Sequence, residues 1–306
     1  MKIYLLSPVA SQIFNPDFIR TLKPLGTVVI DDKIKSLSKV TGMTDSEDKI
    51  IALDPGFCDW QLKESDISSI PNIKAICLQS TSFSWLDNEY CRQLNIPVVN
   101  IKNYSTNSVA EWAVMLAMLV ARKIPLVIKN NWNYDFTNFQ GIELTGKTAG
   151  IIGLGHIGRS IANICQGLGM KVIYWSKNSR DSQLSFADLP TLLKTSDLIF
   201  PCLAQNQETQ GLITDNLLLQ MKPSAIFVSI VHTVYNHQLL LDLVKQNKIY
   251  GYAFEESKPA FSSYEGNVWA GPELAWCTAE SLQRNHALWI ENIVNAAKGN
   301  FPNRIN

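Results

Sequence analysis

The chain has 306 residues, its 27 basic side chains balance 27 acidic ones, and 46% of its residues are hydrophobic. This composition is typical of a folded globular protein with room for two domains, and it argues against a disordered chain or a polyanion-binding surface. We therefore expect no nucleic-acid partner.

The six cysteines are scattered and form no C-x-x-C pair, which predicts small buried side chains in a reducing compartment, without a disulfide framework or a metal site. The apolar run at the start of the chain is too short for a signal peptide. The most apolar stretch, 109–120, contains Glu111 and is followed closely by Arg122 and Pro125. We therefore expect no membrane span and a cytoplasmic protein.

Short apolar runs alternate with amphipathic segments through the first hundred residues. Such runs are typical of the strands of a parallel sheet, and apolar residues at helical spacing indicate helices between them. The predicted helices include 15–22 and 87–94, and the predicted strands are 3–6, 28–30, 50–53, 73–78 and 98–100.

A long helix rich in core residues is predicted next at 108–122, broken by Pro125, and the polar, aromatic stretch 129–138 is predicted to be a loop. Helix 281–298 closes the chain. Between them lies a second alternating series, which again indicates a parallel α/β arrangement. Its strands are predicted at 149–152, 171–175, 198–202, 225–230 and 249–254.

The strand at 149–152 runs into Gly153-x-Gly155-x-x-Gly158, and a helix at 159–168 follows. Gly153 allows a tight turn, Gly155 lets backbone N–H groups approach a pyrophosphate, and Gly158 lets the helix pack closely on the strand. This context predicts that residues 153–158, including His156 and Ile157, bind a dinucleotide on the helix N-terminus. The alternative is a glycine-rich turn without a ligand.

The end of the next strand bears on which dinucleotide binds. NAD sites usually carry Asp or Glu about 20 residues after the first glycine. Here Ser176 stands at that position, with Lys177 beside it and Arg180 close behind. A hydroxyl and two cations suit a 2′-phosphate, so the sequence favours NADP over NAD, unless these residues belong to a solvated loop.

Four further motifs, spread over most of the chain, are specific in combination. They are YSTNSVAEW at 104–112, GIELTGK at 141–147, ETQGLI at 208–213 followed by MKP at 221–223, and AWCT at 275–278. With these motifs the chain resembles the D-isomer-specific 2-hydroxyacid dehydrogenase family.

The resemblance implies an α/β fold with two Rossmann-like domains and parallel sheets, of the formate/glycerate dehydrogenase type. Residues 1–101 plus 280–306 would form the substrate domain, and residues 102–279 the dinucleotide-binding domain. It also implies a small-molecule substrate and a homodimer. Within the second domain, Glu255 matches the residue that faces the nicotinamide carboxamide, and Cys202 and Val109 match positions that line the cofactor.

In the family, an Arg binds the substrate carboxylate, a His exchanges the hydroxyl proton, and an acidic residue hydrogen-bonds that His. All three positions differ here. The Arg position falls on Val231, or on His232 if the alignment shifts by one residue. Glu273 occupies the His position, and Lys258 falls at the acidic position, although the alignment is loose there. Each residue also has a structural interpretation, such as a Lys258–Glu273 ion pair.

The substrate loop departs from the family as well. Ser80 and Ser82 replace the glycines whose N–H groups hold the substrate carboxylate, and Ser80, Thr81 and Ser82 offer hydroxyls to a polar substrate or simply form a surface turn. The sequence thus predicts an NAD(P)-dependent oxidoreductase with an altered acid/base site. The alternative is a catalytically silent NAD(P)-binding sensor or interaction protein.

Overall fold

The computed structural model describes residues 1–33 and 36–306, apart from the side chain of Ser262. The chain forms two compact units, each built on one parallel sheet. The first consists of Met1–Tyr104 and Thr278–Asn306, and the second is Ser105–Cys277.

The first unit has a five-stranded parallel sheet in the order β2-β1-β3-β4-β5. Its strands are β1 (Lys2–Leu6), β2 (Thr27–Asp31), β3 (Lys49–Leu53), β4 (Ile73–Leu78) and β5 (Val98–Val99). Each of the five strands predicted from the apolar runs is present to within one residue at either end.

Helices pack around this sheet, so the central strands are apolar on both faces, as expected for a parallel sheet. Along β1, for example, Tyr4 belongs to the core on one face, and Ile3 packs on the other with Trp289 of the C-terminal helix. The helices are α1 (Ala10–Ile13), α2 (Pro16–Leu22), α3 (Glu64–Ser68), α4 (Asn88–Gln93) and the C-terminal helix (Ala279–Ala297), with 3-10 turns at Leu37–Lys39 and Pro55–Cys58.

The second unit begins with helix α5 (Thr106–Ala121), which is buried in its core. Pro125 does not simply end this helix. Lys123 adopts a left-handed conformation, and Pro125 then lies in the first turn of α6 (Ile124–Lys129), where its missing N–H leaves no hydrogen bond unmade.

A seven-stranded parallel sheet follows in the order β12-β11-β10-β9-β6-β7-β8. The chain reverses its direction of winding between β6 and β9, and in such sheets ligands bind at that point, beyond the carboxyl ends of the strands. The strands are β6 (Thr148–Ile152), β7 (Lys171–Trp175), β8 (Ser185–Phe186), β9 (Leu198–Pro201), β10 (Ile226–Ser229), β11 (Gly251–Glu255) and β12 (Val268–Gly271).

The helices of this sheet are α7 (His156–Gly167), α8 (Leu189–Thr195), α9 (Asp215–Leu218) and α10 (His237–Lys245), with a 3-10 turn at Phe261–Ser263. Helix α7 begins three residues earlier than predicted, directly after Gly155. The sequence does not predict the short edge strands β8 and β12, because two to four residues carry little periodicity. Within the described parts of the chain, no helix is both long and apolar enough to cross a membrane.

Candidate functional site

The three glycines after β6 have different surroundings. Gly153 has a φ of +101°, and a Cβ there would lie 2.7 Å from the Cys202 carbonyl oxygen. A Cβ on Gly158 would overlap the Gly153 carbonyl oxygen, whereas a Cβ on Gly155 would meet nothing within 4 Å. Gly153 is therefore needed for the turn, and Gly158 is needed for the close approach of the helix to the strand. Gly155 faces open space.

Gly155 is also the N-cap of α7, without a side-chain cap. The first N–H groups of a helix have no partner within it, and here they belong to residues such as His156 and Ile157, which are exposed and half-buried. An open glycine followed by unpaired amides at the positive end of a twelve-residue helix fits the diphosphate of a dinucleotide.

The loop after β7 is folded around Ser176. The Ser176 hydroxyl accepts a hydrogen bond from the Ser179 amide (3.2 Å), and the Arg180 guanidinium donates to the Ser176 carbonyl (2.8 Å). Arg180 also stacks 4.8 Å from the centre of the Phe186 ring. Lys177 forms an exposed ion pair with Glu208 (2.8 Å), a type of contact that is weak and easily exchanged.

The other residues that the sequence assigns to the cofactor lie in the same unit. Cys202 follows β9, and its Sγ donates to the Phe200 carbonyl (3.5 Å). Val109 is buried on α5. Neither position carries a charge.

Glu255 is buried at the end of β11. Its carboxylate accepts hydrogen bonds from the backbone amides of Leu274 (2.8 Å) and Ala275 (2.9 Å). Burial raises the pKa of the Glu255 carboxyl, and these two N–H groups oppose the rise. Glu255 thus anchors the turn that carries Glu273, a role that its sequence position does not reveal.

His232 and Glu273 come together at the carboxyl edge of the sheet. The His232 Nε2 lies 4.0 Å from the Glu273 Oε1, and the two side chains are 47% and 52% exposed. The turn that carries His232 is held by the Gln205 side chain, which accepts hydrogen bonds from the amides of His232 (3.0 Å) and Thr233 (3.2 Å). Sequence reasoning did not identify Gln205, because no pattern marks it.

A cavity of about 280 Å³ opens beside this pair. Among the described residues, its lining contains three carboxylates and two imidazoles but no lysine or arginine. The lining residues are His232, Tyr235, His237, Phe254, Glu255, Glu256, Ser257 and Glu273.

Lys258 is exposed, and among the described residues it forms no ion pair with Glu273, which lies beside His232 instead. This differs from the Lys258–Glu273 pair considered above. The preceding residue Glu256 fixes the loop, since its carboxylate accepts hydrogen bonds from the Ala260 amide and the Tyr264 hydroxyl, both at 2.8 Å. Sequence alignment is loose in this loop and does not fix the position of Lys258.

The loop after β4, in the first unit, uses two of its hydroxyls internally. Ser80 donates to the Ser82 carbonyl (2.6 Å), and Thr81 donates to the Ile101 carbonyl (2.9 Å). The exposed Ser82 hydroxyl lies 3.3 Å from that of Ser84. The hydroxyl protons of Ser80 and Thr81 are therefore used within the protein, and their oxygens remain possible acceptors.

The backbone amides of this loop differ from its hydroxyls in their hydrogen bonding. The N–H groups of Ser80, Thr81 and Ser82 donate to no acceptor among the described residues, and these residues do not have positive φ angles. The loop therefore does not need the glycines that it lacks, and it offers consecutive amides of the kind that bind anions.

Comparison with known proteins identifies the family. The model of the "D-isomer specific 2-hydroxyacid dehydrogenase, NAD binding domain" matches residues 114–272. The chain belongs to this family. D-2-hydroxyacid dehydrogenases are oxidoreductases that act on CH–OH donors, and the predicted family and two-domain parallel α/β fold are confirmed.

Two curated relatives of this family member are a D-3-phosphoglycerate dehydrogenase of Archaeoglobus fulgidus and a glyoxylate reductase of Thermofilum pendens. The first is 32% identical over 247 residues, which are 76% of this chain but only 47% of that protein. The second is 28% identical over 255 residues, 77% of this chain and 75% of that protein. The chain thus spans less than half the length of the first relative.

Among solved structures, one neighbour is an acyclic imino acid reductase in complex with NADPH and D-Arg. It is 25% identical, superposes with a TM-score of 0.82, and the match covers 100% of both chains.

Proposed function

We propose that this D-2-hydroxyacid dehydrogenase family member is an NADPH-dependent reductase of the C=N bond of small 2-imino acids, with His232 and Glu273 as its proton-exchanging pair. The observation that carries the proposal is the His232–Glu273 pair, 4.0 Å apart, beside a cavity lined by carboxylates and lacking lysine or arginine. The imino acid reductase that the chain resembles over its whole length supports this substrate class.

The charges of the site favour an imine over a ketone. A ketone gains negative charge on oxygen as it accepts a hydride, so it needs a proton donor, which the family supplies as His. A protonated imine already carries the positive charge and the proton. The carboxylate of Glu273 would attract such a cation.

A bound NADPH supplies the hydride. The residues of the chain hold the reactants and exchange protons. We assign the diphosphate to the amides after Gly155. After hydride transfer the product is an amine, and His232, assisted by Glu273, exchanges its proton with solvent.

The preference for NADP rests on Ser176 and its neighbours. An acidic residue at this position would repel a 2′-phosphate, whereas the Ser176 hydroxyl does not. Arg180 is hydrogen-bonded to the Ser176 carbonyl, which places its charge beside Ser176. Lys177 could exchange its exposed ion pair with Glu208 for a contact with a phosphate. Both cations are therefore available to a 2′-phosphate.

The test measures NADPH oxidation with a panel of 2-oxo acids, each with and without ammonium or methylamine. We expect turnover that requires the amine. Glu273→Gln should lower kcat by about 10²-fold or more while NADPH affinity stays unchanged. Glu265→Gln, an exposed glutamate paired with Lys245, is the matched control and should change neither.

Two other results would point elsewhere. Equal oxidation with 2-oxo acids alone would favour a carbonyl reductase like the family's ordinary members. Tight NADPH binding without turnover on any compound would favour a silent dinucleotide-binding protein and end the catalytic proposal.

We also propose a homodimer that forms through the segment 129–138. Three aromatic side chains of this segment are exposed, Trp132 (66%), Tyr134 (64%) and Phe136 (90%), which is unusual for a monomer surface. Light scattering should give twice the chain mass, and Phe136→Glu should shift it toward the mass of one chain. A monomeric parent protein would refute this assignment.

A further inference from the structure

We propose that His237, Tyr252 and Tyr235 form a proton relay that opens into the His232–Glu273 cavity, so that His237 is a further proton-exchanging residue of the site. The role in turnover rests on the proposed function, but the relay itself can be tested without turnover.

The three side chains are joined by two short hydrogen bonds. The Nδ1 of His237 lies 2.9 Å from the Tyr252 hydroxyl, which lies 2.7 Å from the Tyr235 hydroxyl. Tyr252 is fully buried, while His237 and Tyr235 both line the cavity. Tyr252 is therefore the buried bridge between two groups that reach the same space.

The ring of His237 is held in one orientation. His237 is the first residue of α10, whose N-cap Asn236 accepts a hydrogen bond from the Leu239 amide (3.2 Å). The imidazole packs edge-on against Phe254, with 4.6 Å between ring centres, and Tyr252 binds its Nδ1. Its Nε2 has no hydrogen-bond partner among the described residues, which leaves this atom for the cavity.

This arrangement lets a neutral imidazole donate or accept. If Tyr252 donates to Nδ1, the ring proton sits on Nε2 and can be given to a molecule in the cavity. If Nδ1 donates to Tyr252, the Nε2 lone pair can accept a proton. In the donating step, Nε2 releases a proton and Nδ1 takes one from Tyr252. Tyr252 then takes one from Tyr235, and Tyr235 takes one from a cavity water, whose hydroxide leaves to bulk solvent. The relay groups end neutral, and the net step moves one proton from water to the product amine.

The surroundings keep the relay groups neutral near pH 7. Burial lowers the pKa of His237, which Glu256 opposes and His232 reinforces, and burial raises the pKa of Tyr252 well above its ordinary value. Three neighbouring segments contribute titratable or charged groups around His237. Strand β11 carries Tyr252, with Glu255 and Glu256 at its end. The turn before α10 carries Tyr235 and His232, and Glu273 follows β12.

A purely structural histidine would explain less. In a closed core both ring nitrogens would have partners, whereas here the partner of Nδ1 is itself bonded onward and Nε2 is open. A relay of this kind would let His237 act together with His232 in delivering the proton to the product nitrogen, so that both are needed for full turnover.

The experiment compares Tyr252→Phe, Tyr235→Phe and His237→Gln in the full chain with NADPH and the substrate found above. We expect kcat to fall about 10²-fold in His237→Gln and about 10-fold in Tyr252→Phe, with KM nearly constant and the pH profile shifted. In Tyr235→Phe, which keeps the His237–Tyr252 hydrogen bond, kcat should fall less. Tyr250→Phe, which removes a hydroxyl bonded to the Ala121 carbonyl (3.2 Å), is the control. If Tyr252→Phe and His237→Gln retain kcat within about twofold and an unshifted pH profile, the proposal is overturned.

A second measurement separates this proposal from the proposed function. Nitrogen chemical shifts of the His237 ring report which nitrogen carries the proton, and they need no turnover. Because Tyr252 is the only relay contact of Nδ1, Tyr252→Phe should change the balance of the two tautomers. If NADPH is never oxidised but the tautomers respond, the coupling of His237 to Tyr252 stands and the reaction assignment fails. Unchanged shifts would overturn the relay, whether or not the enzyme turns over.

Discussion

Replacing Gly155 by alanine separates cofactor binding from folding. An added Cβ would meet nothing within 4 Å in the protein, and the backbone of Gly155, with φ −81°, is open to any residue. The free energy of unfolding should therefore change by less than about 1 kcal/mol. The same Cβ would project toward the place that we assign to the diphosphate.

The expected loss is one or two charge-assisted hydrogen bonds to the helix amides, each about 1.5 kcal/mol or more, so the Kd for NADPH should rise roughly 10- to 100-fold. Fluorescence titration with NADPH measures this, and urea unfolding measures the stability. Gly167→Ala is the matched control at the other end of α7, where a Cβ also meets nothing within 4 Å. It should leave the Kd unchanged and stabilise the helix slightly.

Gly158→Ala should behave in the opposite way, because its Cβ would overlap the Gly153 carbonyl oxygen. Although alanine is the better helix former by about 1 kcal/mol, the overlap should cost more, and we expect a net loss of about 1–3 kcal/mol in stability.

If Gly155→Ala binds NADPH as tightly as the parent protein, the assignment of the diphosphate to α7 is refuted.

Three further predictions concern single side chains. Ser176→Asp should reverse the preference from NADPH to NADH in titrations, and an unchanged preference would remove Ser176 from 2′-phosphate recognition. Lys49→Met should lower the free energy of unfolding by about 3 kcal/mol, because the buried ammonium of Lys49 donates hydrogen bonds to the carbonyls of residues 45, 47 and 71. Lys74 forms an exposed ion pair, so Lys74→Met should change that free energy by less than about 1 kcal/mol in the same urea series. Burial lowers the pKa of His237 in the folded chain, so the unfolded chain binds more protons just below pH 6.5. The free energy of unfolding should therefore fall on acidification through that range, and it should fall less in His237→Gln. An equal fall in both proteins, measured by urea unfolding, would contradict this.

Much of the fold could be predicted from local patterns. The apolar runs at 50–53 and 73–78 became buried parallel strands because a strand covered on both faces must be apolar throughout. The glycine spacing at 153–158 determined a turn and a helix start, because the steric demands of each glycine are local. Short edge strands such as β8 were beyond this approach.

The acid/base site was only partly accessible. His232 and Glu273 were candidates because the resemblance placed them at or beside the positions of the family's catalytic residues, but nothing in the sequence indicated that they would face each other. Lys258 was named from a loose alignment, and in the structure it is exposed and forms no ion pair with Glu273 among the described residues. His237 and Tyr252 gave no signal, since a histidine at a helix start and a tyrosine in a strand are ordinary.

The sequence alone determined the parallel α/β architecture and the glycine turn. These properties depend on residues that are near neighbours in the chain. Only the tertiary structure decided that the imidazole of residue 232 meets a carboxylate 41 positions later, and that two tyrosines connect a second imidazole to the same cavity. Such contacts arise where the carboxyl ends of separate strands converge, and strand order in the sheet, rather than distance along the chain, brings those groups together.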